Sequence, residues 1–513
     1  MVKRGIGETF HWLECVRVDG HAVWRYVPLA LALGLVGFLW KDQATLVGPM
    51  FDYSLVIHGT FQWEHGQLPH RDFASSLQVG TLALGRLFEM FFGATYLSLG
   101  LANLFVALVL MVGTFYMALP HLGSLVATLV AVAFTLSTAL QHGIIWYNTI
   151  AASLFILLVL NFANKPTLSS LIVGGLLCVF SGITKLNYHL CAIVCAALIA
   201  IYAAKPSARK LGWIGLSVVF GVCAGPFVEM AMTGIGPTQW VREMLLASAR
   251  IRNTVQFFTN FRDVYTLFAS IPFNVFVVPW ARAMPLVFAV FFLLYLLRAT
   301  HRRVAMFCFL GAVYGATLAI ILTNQEIIIH KAALFLVGPV ALAVAHRHDR
   351  FCRRLVGLSA LYLIGVSLPA VLNHSRLAFE PINGPFIDGG AVHPYFSGAR
   401  IDAKRAVEMK TIFKALENPI REKRPIYFGP GTGYFFRLAN TIPTAGLPLW
   451  WDLDSSYHSD GLGELVRKFY SHGFVAITFN EWGFLLPQAI HERMGAYRLV
   501  SHEAKHLNIL VLE

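Results

Sequence analysis

Asp52 is the first residue in the chain whose type and position could carry chemistry. It follows the first long apolar stretch closely, so we expect it near a membrane surface. A carboxylate there can take a proton from an attacking hydroxyl as a general base, or bind a divalent cation through oxygen. The alternative is a solvated loop aspartate without a catalytic role.

Lys185 lies between two apolar stretches, in the run Thr184–His189. A charge within a membrane chain is costly and is usually paired, functional or at an interface. Its ammonium group is a compact point charge that suits an anionic phosphate, although simple snorkelling to lipid headgroups is the alternative. Arginines of a later polar segment could add phosphate contacts or bind headgroups; they are Arg242, Arg250 and Arg252.

A second polar run, Gly66–Phe73, contains the adjacent charges Arg71 and Asp72. These two residues are candidates for acceptor binding and for a second catalytic carboxylate. The alternative is a structural turn in which the two charges pair locally. The nearby histidines match no metal-ligand spacing, and a metal ion stays an open possibility; they are His58, His65 and His70.

Aromatic and amide side chains could form a sugar site on the same side of the membrane. Stacking and hydrogen bonding are the chemistry they offer, and an aromatic belt at the interface is the alternative. Glu326 is a weaker acceptor-binding candidate in a short loop. The other candidates are Trp146, Tyr147, Asn148, Asn187 and His189.

The composition identifies the class of protein that must position these residues. The 513 residues are 57% hydrophobic and 13% charged, which predicts an α-helical polytopic membrane protein. The net charge of +13 is explained by basic loops on the cytoplasmic side, and we expect no nucleic-acid partner. The 7 cysteines show no metal-ligand spacing.

Apolar stretches predict about eleven transmembrane helices, with the N-terminus inside and the C-terminus outside. The stretch 78–94 carries Arg86 and Glu89, and it is predicted as a juxtamembrane or re-entrant helix on the outer side. Long outer loops are then 41–96 and 234–274. The predicted spans are 26–40, 97–119, 122–140, 144–162, 168–184, 186–203, 211–233, 275–298, 304–323, 327–345 and 355–372.

The chain divides into a transmembrane module, 1–372, and a small extracytoplasmic α/β domain, 373–513. Within the second part, residues 402–417 have helical periodicity, and the glycine-rich run Gly429–Gly433 is interpreted as a turn, not a nucleotide loop. The predicted strands are Pro425–Phe428, Phe474–Phe479 and Leu507–Leu512.

The chain resembles the C-type superfamily of polytopic membrane glycosyltransferases in three features. These are an acidic residue after the first span, the loop Gly66–Phe73 and an outward Thr184–Asn187. The most similar branch includes the bacterial aminoarabinose transferases and protein mannosyltransferases. Asp52 matches the family's acidic position in the first loop, which the resemblance implies is a base or an acceptor-orienting group. Many members carry two adjacent acidic residues there, whereas this chain has Asp52-Tyr53, so Asp72 is the candidate for the second carboxylate.

The resemblance implies an enzyme of the bacterial inner membrane that takes a sugar from a polyprenyl-phosphate donor at the outer face. The acceptor is an envelope lipid, glycan or protein. Membrane lipids are further partners, no cofactor is required, and a divalent cation is possible. The competing hypotheses are a transporter or lipid flippase of envelope precursors, and a non-catalytic scaffold.

Overall fold

The computed structural model describes most of the chain in separate stretches. These are residues 23–47, 50–75, 77–164, 167–204, 208–246, 277–298, 303–323, 333–345, 350–372, 385–451, 461–479, 483, 485–492, 494, 497–501 and 508–512.

Every apolar stretch predicted to span the membrane overlaps a described helix, although residues 327–332 of the predicted span 327–345 lie outside the described residues. Lipid offers no hydrogen bonds to the backbone, so apolar sequence in this environment becomes helix. The helices are α1 (Val27–Ala44), α2 (Met50–Glu64), α3 (Val79–Phe92), α4 (Tyr96–Leu122), α5 (Ser124–Ser137), α6 (Tyr147–Ala163), α7 (Leu168–Thr184), α8 (Leu186–Ala204), α9 (Ala208–Thr233), α10 (Pro237–Trp240), α11 (Val277–Arg298), α12 (Arg303–Thr323), α13 (Val337–Ala345) and α14 (Arg350–Leu372).

The described helices are those of a polytopic membrane protein. Four of them are long and apolar enough to cross a membrane, and a bent pair, Val218–Thr233 with Pro237–Met244, raises this number to five. Several other apolar helices are shorter, among them α6 and α7 at 17 residues each. Large apolar side chains of α1 point outward, as expected of a lipid-facing surface; Leu31 and Phe38 are each 71% exposed. The predicted number of spans and their orientation stay predictions.

A break between helices positions residues discussed below. The α9 helix ends at Gly234, whose φ of +73° is in the left-handed region that favours glycine. The chain then turns back by 113° into α10 and a π-helical turn, Val241–Leu246. The α3 helix has only 14 residues, and its position in the membrane stays a prediction.

The C-terminal segment, residues 385–512, contains both helices and strands. A mixed sheet contains four strands, in the spatial order Ile426–Phe428, Ala476–Phe479, Asn508–Leu512 and Tyr497–Ser501. The first two strands are parallel, and the other neighbouring pairs are antiparallel. The predicted strands and the predicted helix all coincide with elements of this segment. The elements are β1 (Phe386–Asp388), β2 (Arg400–Asp402), α15 (Ala403–Ala415), α16 (Glu417–Arg421), β3 (Ile426–Phe428), α17 (Phe435–Leu438), α18 (Leu462–Ser471), β4 (Ala476–Phe479), α19 (Gln488–His491), β5 (Tyr497–Ser501) and β6 (Asn508–Leu512).

Candidate functional site

Lys185 lies at the junction where α7 ends and α8 begins. The Lys185 ammonium donates a hydrogen bond to Asn148 Oδ1 at the start of α6. The rings of Tyr147 and Tyr188 lie 4.4 Å and 5.3 Å from Lys185 Nζ, within cation–π range. These three partners are neutral, and they hold the ammonium group in place. We call these four residues the lysine site.

The aromatic residues beside the lysine site are packed inside the protein. Trp146 is 3% exposed, and its ring centroid lies 4.4 Å from that of Tyr147. Asn148 is buried as well. A membrane aromatic belt would leave the Trp146 ring exposed to lipid headgroups, so its burial favours a role in building the lysine site.

A second polar group centres on Glu229, which is fully buried near the C-terminal end of α9. Its carboxylate accepts hydrogen bonds from Gln78 Nε2 at 3.1 Å, Trp240 Nε1 at 2.9 Å and the backbone N–H of Val79 at 3.4 Å. His70 Nε2 lies 3.9 Å from Glu229 Oε1. The 113° bend after α9 brings Trp240 back over this carboxylate.

His70 is held from its other side by the turn that follows α10. Its Nδ1 lies 3.3 Å from Glu243 Oε2, and its carbonyl accepts a hydrogen bond from Gln239 Nε2 at 2.7 Å. The backbone of His70 has a φ of +64°, an unusual conformation for a residue with a side chain. We call the group around Glu229 the glutamate cluster; it comprises His70, Gln78, Glu229, Trp240 and Glu243.

The lysine site and the glutamate cluster are joined through the C-terminal end of α7. Gln78 Nε2, which binds Glu229, also lies 3.3 Å from the carbonyl of Gly182, three residues before Lys185. The start of α3 packs on the same turn, because a Cβ atom at Gly80 would lie 2.8 Å from the carbonyl of Ile183. The polar loop before α3 and the lysine site therefore belong to one region of the molecule.

Arg71 and Asp72 pair locally, which is the structural alternative to a catalytic role. Asp72 Oδ2 accepts hydrogen bonds from Arg71 Nη2 at 2.6 Å and from the backbone N–H of Leu68 at 2.8 Å. The hydrogen bond from Arg71 lowers the pKa of Asp72, so this carboxyl stays ionised. A catalytic role for Asp72 and an acceptor-binding role for Arg71 stay predictions.

The other predicted site residues are placed only in part. Asp52 lies in the first turn of α2, and its side chain is outside the described part of the structure. Arg242 is exposed in the turn after α10. Asn187 Oδ1 accepts a hydrogen bond from the backbone N–H of Tyr188 at 3.0 Å. Arg250, Arg252 and Glu326 lie outside the described residues.

His189 contacts the helix bundle. Its Nε2 lies 2.6 Å from the carbonyl of Gly221 in α9, so the ring ties α8 to α9. This contact serves the packing of the two helices. The predicted contact of His189 with sugar or acceptor stays a prediction.

A third polar group joins the C-terminal segment to α2 and α3. Arg437 Nη2 lies 2.9 Å from Glu89 Oε2, and Arg437 Nη1 lies 3.2 Å from Glu64 Oε2. Arg86 Nη1 lies 3.2 Å from the same Glu64 oxygen and 3.5 Å from Glu89 Oε2. Two arginines and two glutamates balance in charge. We call these four residues the arginine network.

Metal binding has no candidate cluster in the described part of the chain. No group of three or more His, Cys, Asp or Glu side chains there could hold a metal ion. The divalent cation considered for Asp52 stays untested, because that side chain is not among those described.

Sequence reasoning missed Glu229 and Arg437, for different reasons. Glu229 is a carboxylate inside an apolar stretch, and an intramembrane acid is a functional candidate by default, so this signal was present. Arg437 carries no comparable signal, because it is one of several charges in a polar segment. Its partner Glu89 is 348 residues away in the chain.

No protein-family model matches the chain, and no curated protein sequence matches it. Several solved structures are similar, and two of them match the chain as follows. One is the crystal structure of ArnT from Cupriavidus metallidurans bound to undecaprenyl phosphate, at 11% identity and a TM-score of 0.40, covering 94% of this chain and 97% of that chain.

The other is the crystal structure of the Archaeoglobus fulgidus oligosaccharyltransferase in complex with Zn and sulfate. It matches at 13% identity and a TM-score of 0.39, covering 88% of this chain and 68% of that chain.

Proposed function

We propose that this chain is a glycosyltransferase of the bacterial inner membrane. It moves a sugar from a polyprenyl-phosphate donor to an envelope lipid, glycan or protein at the outer face. Lys185 binds the donor phosphate, and Asp52 acts as the base toward the acceptor hydroxyl. Arg242, Arg250 and Arg252 are further candidates for phosphate contact.

The observation that carries this proposal is the lysine site. A phosphate on a lipid carrier needs a cation that is fixed near the membrane. Asn148 and the rings of Tyr147 and Tyr188 supply this fixation, since each lies within contact distance of the ammonium group. Fixed cations at such a site stabilise the charge that develops on a leaving group.

The reaction divides between the two residues. Asp52 accepts the proton of the acceptor hydroxyl, and the resulting oxygen attacks the anomeric carbon of the sugar. The bond between that carbon and the phosphate oxygen breaks, and the phosphate leaves with the electron pair. Lys185 balances the charge of this leaving phosphate.

Donor binding tests the role of Lys185. Lys185→Ala removes a charge-assisted contact of about 1.5–3 kcal/mol, so the donor Kd should rise about 10- to 100-fold. Purified chain in nanodiscs would be titrated with a panel of polyprenyl-phosphate pentoses and hexoses. Lys404→Ala, at an exposed position of α15, is the matched control and should leave the Kd unchanged. An unchanged Kd in Lys185→Ala would rule out the phosphate role.

Turnover tests the role of Asp52. Asp52→Asn should lower kcat about 10²- to 10⁴-fold, the usual effect of losing a general base. The measurement is release of polyprenyl phosphate in the presence of an envelope extract as acceptor. Asp388→Asn, on an exposed strand position, is the control. Full turnover in Asp52→Asn would show that another group accepts the proton.

A transporter or flippase is the second candidate. Broken helices and buried charges near them are typical of transporters, and this chain has both in the bend after α9 and in Glu229. Proteoliposomes separate the two functions, because a flippase moves an intact labelled donor across the bilayer without releasing free sugar or lipid phosphate.

A further inference from the structure

One turn of the C-terminal segment lies along most of α2, the helix whose first turn contains Asp52. Gly433 packs against the start of this helix, since a Cβ atom there would lie 3.1 Å from both Ser54 Oγ and His58 Nδ1. The next contact is Phe436, whose ring stacks on His58 with centroids 4.6 Å apart.

Arg437 continues this contact to the C-terminal end of α2. Its Nη2 donates to Thr60 Oγ1 at 3.1 Å, and its Nη1 pairs with Glu64. The arginine is 7% exposed, and Glu89, its partner on α3, is 2% exposed. A buried guanidinium with two carboxylate partners can fix both helices, because its planar donors set direction as well as distance.

The same segment also contacts the chain on both sides of α2. Before the helix, the backbone N–H of Val47 donates to the carbonyl of Arg400 at 2.9 Å. After it, Gln67 Nε2 donates to the carbonyl of Pro443 at 2.7 Å, and the backbone N–H of Leu449 donates to the carbonyl of Ala74 at 2.8 Å. The C-terminal segment therefore contacts the chain before, along and after α2.

We propose that Arg437 is a positioning residue, which holds α2 at the angle that places Asp52 in the catalytic site. This inference depends on the proposed function for its activity readout. The side chain acts through α2 and α3 and needs no contact with substrate. A helix behaves as a rigid rod of about 1.5 Å rise per residue. A tilt at the C-terminal end of α2, which Arg437 contacts, therefore also moves the N-terminal end, which contains Asp52. A misplacement of about 1 Å at a reacting group can cost about 10²-fold in rate.

Kinetics on the full-length chain in nanodiscs test this role. Arg437→Met should lower kcat about 10- to 100-fold and leave the donor Kd within about twofold, because the lysine site is built from other helices. Arg437→Lys should recover part of the lost kcat, since a point charge can still pair with one carboxylate. Arg421→Met is the matched control: it removes an exposed arginine of the same segment bonded to Asn418. An unchanged kcat in Arg437→Met, or an equal loss in Arg421→Met, would overturn the inference.

Hydrogen exchange supplies a readout that does not need activity. In Arg437→Met, the amides of residues 54–64 should exchange at least about tenfold faster, while those of β3 and β4 keep their protection. Unchanged exchange in α2, or equally faster exchange in β3 and β4, would contradict the positioning role. If Arg437→Met does not fold, Glu64→Gln provides the same test by removing the partner of both arginines. If Arg437→Met speeds exchange in α2 but the parent chain transfers no sugar, the proposed function is refuted, whereas the structural coupling between Arg437 and α2 is supported.

Discussion

Glu229 combines complete burial with three N–H donors directed at its carboxylate. A buried polar group is costly unless it is hydrogen-bonded, and these donors meet that requirement. His70 adds a further polar contact, with its Nε2 3.9 Å from Glu229 Oε1. Through these contacts, Glu229 connects the polar loop before α3 to the bend after α9.

Replacing this carboxylate tests its structural importance. Glu229→Leu leaves Trp240 Nε1 and the backbone N–H of Val79 without their carboxylate acceptor, at about 1–3 kcal/mol each, so the free energy of unfolding should fall by about 2 kcal/mol or more. Thermal unfolding in detergent, followed by size-exclusion chromatography, measures the loss. Glu243→Gln, at a side chain that is 28% exposed, should cost less than about 1 kcal/mol. Equal losses in the two variants would contradict a special role for Glu229.

His58 predicts a pH dependence of the contact between α2 and the C-terminal segment. Burial lowers the pKa of this imidazole to about 3, well below its ordinary value of about 6.5. Between these pH values the unfolded chain binds a proton that the folded chain does not, so stability should fall on acidification by about 1.4 kcal/mol per pH unit. The loss begins as the pH falls below about 6.5.

Denaturant unfolding at several pH values between 4 and 8 would measure this effect. His58→Phe keeps an aromatic ring on Phe436 and removes the titrating group, so its stability should vary less with pH over this range. An equal pH dependence in His58→Phe and the parent chain would assign the effect to other groups.

At the scale of elements, α7 and α9 cross at two glycines. A Cβ atom at Gly182 would lie 2.7 Å from the Cα atom of Gly225, closer than any real contact of this kind. Small residues let membrane helices approach in this way. This crossing brings Gly182, and Lys185 after it, next to the helix that carries Glu229.

Two separate glycine-to-alanine substitutions in α7 test the crossing. Gly182→Ala should destabilise the protein by about 1–3 kcal/mol, because the methyl group forces the two backbones apart. Gly175→Ala lies on the same helix and meets only Phe220 at 3.7 Å, an ordinary contact, so it should be neutral or slightly stabilising. The measurement is thermal unfolding in detergent. A tolerated Gly182→Ala would show that α7 and α9 can separate without cost.

Most elements were predictable from the sequence, because apolar runs and period-two strands are local patterns. The α7 and α8 helices and the strand of residues 426–428 are examples. The bend after α9 was not predicted, since a polar segment after a span does not show whether it folds back. The contact between Gln78 and Glu229 joins residues 151 positions apart, and no local pattern indicates such a pair.

The site itself was predictable in part. Lys185, Tyr147 and Asn148 were expected on one side of the membrane, and the structure brings the three into contact. Counting the predicted spans places these three residues on the same side of the membrane. Which of their side chains touch depends on how the helices pack, and a count of spans does not show that. The arginine network depends on the position of the C-terminal segment, which the sequence pattern does not encode.

At the scale of the whole molecule, the predicted orientation can be tested by thiol labelling. His65→Cys and Ala94→Cys flank α3 at exposed positions, and both should react with an impermeant reagent applied to the outer face. Ser169→Cys, at the predicted inner end of α7, should be protected. Labelling is compared with the parent chain, which has its own cysteines. Protection of Ala94→Cys would make α3 a true span and reverse the orientation of the helices that follow.

The central claim is that this chain breaks the bond between a sugar and a polyprenyl phosphate. The most direct test uses a donor with one label in the sugar and a different label in the polyprenyl chain. It is incorporated into proteoliposomes with the purified protein and an envelope extract. The proposed function predicts that the sugar label moves to acceptor while the lipid label appears as free polyprenyl phosphate, and that Asp52→Asn abolishes both changes. Labels that stay together, with the donor crossing the bilayer intact, would contradict it.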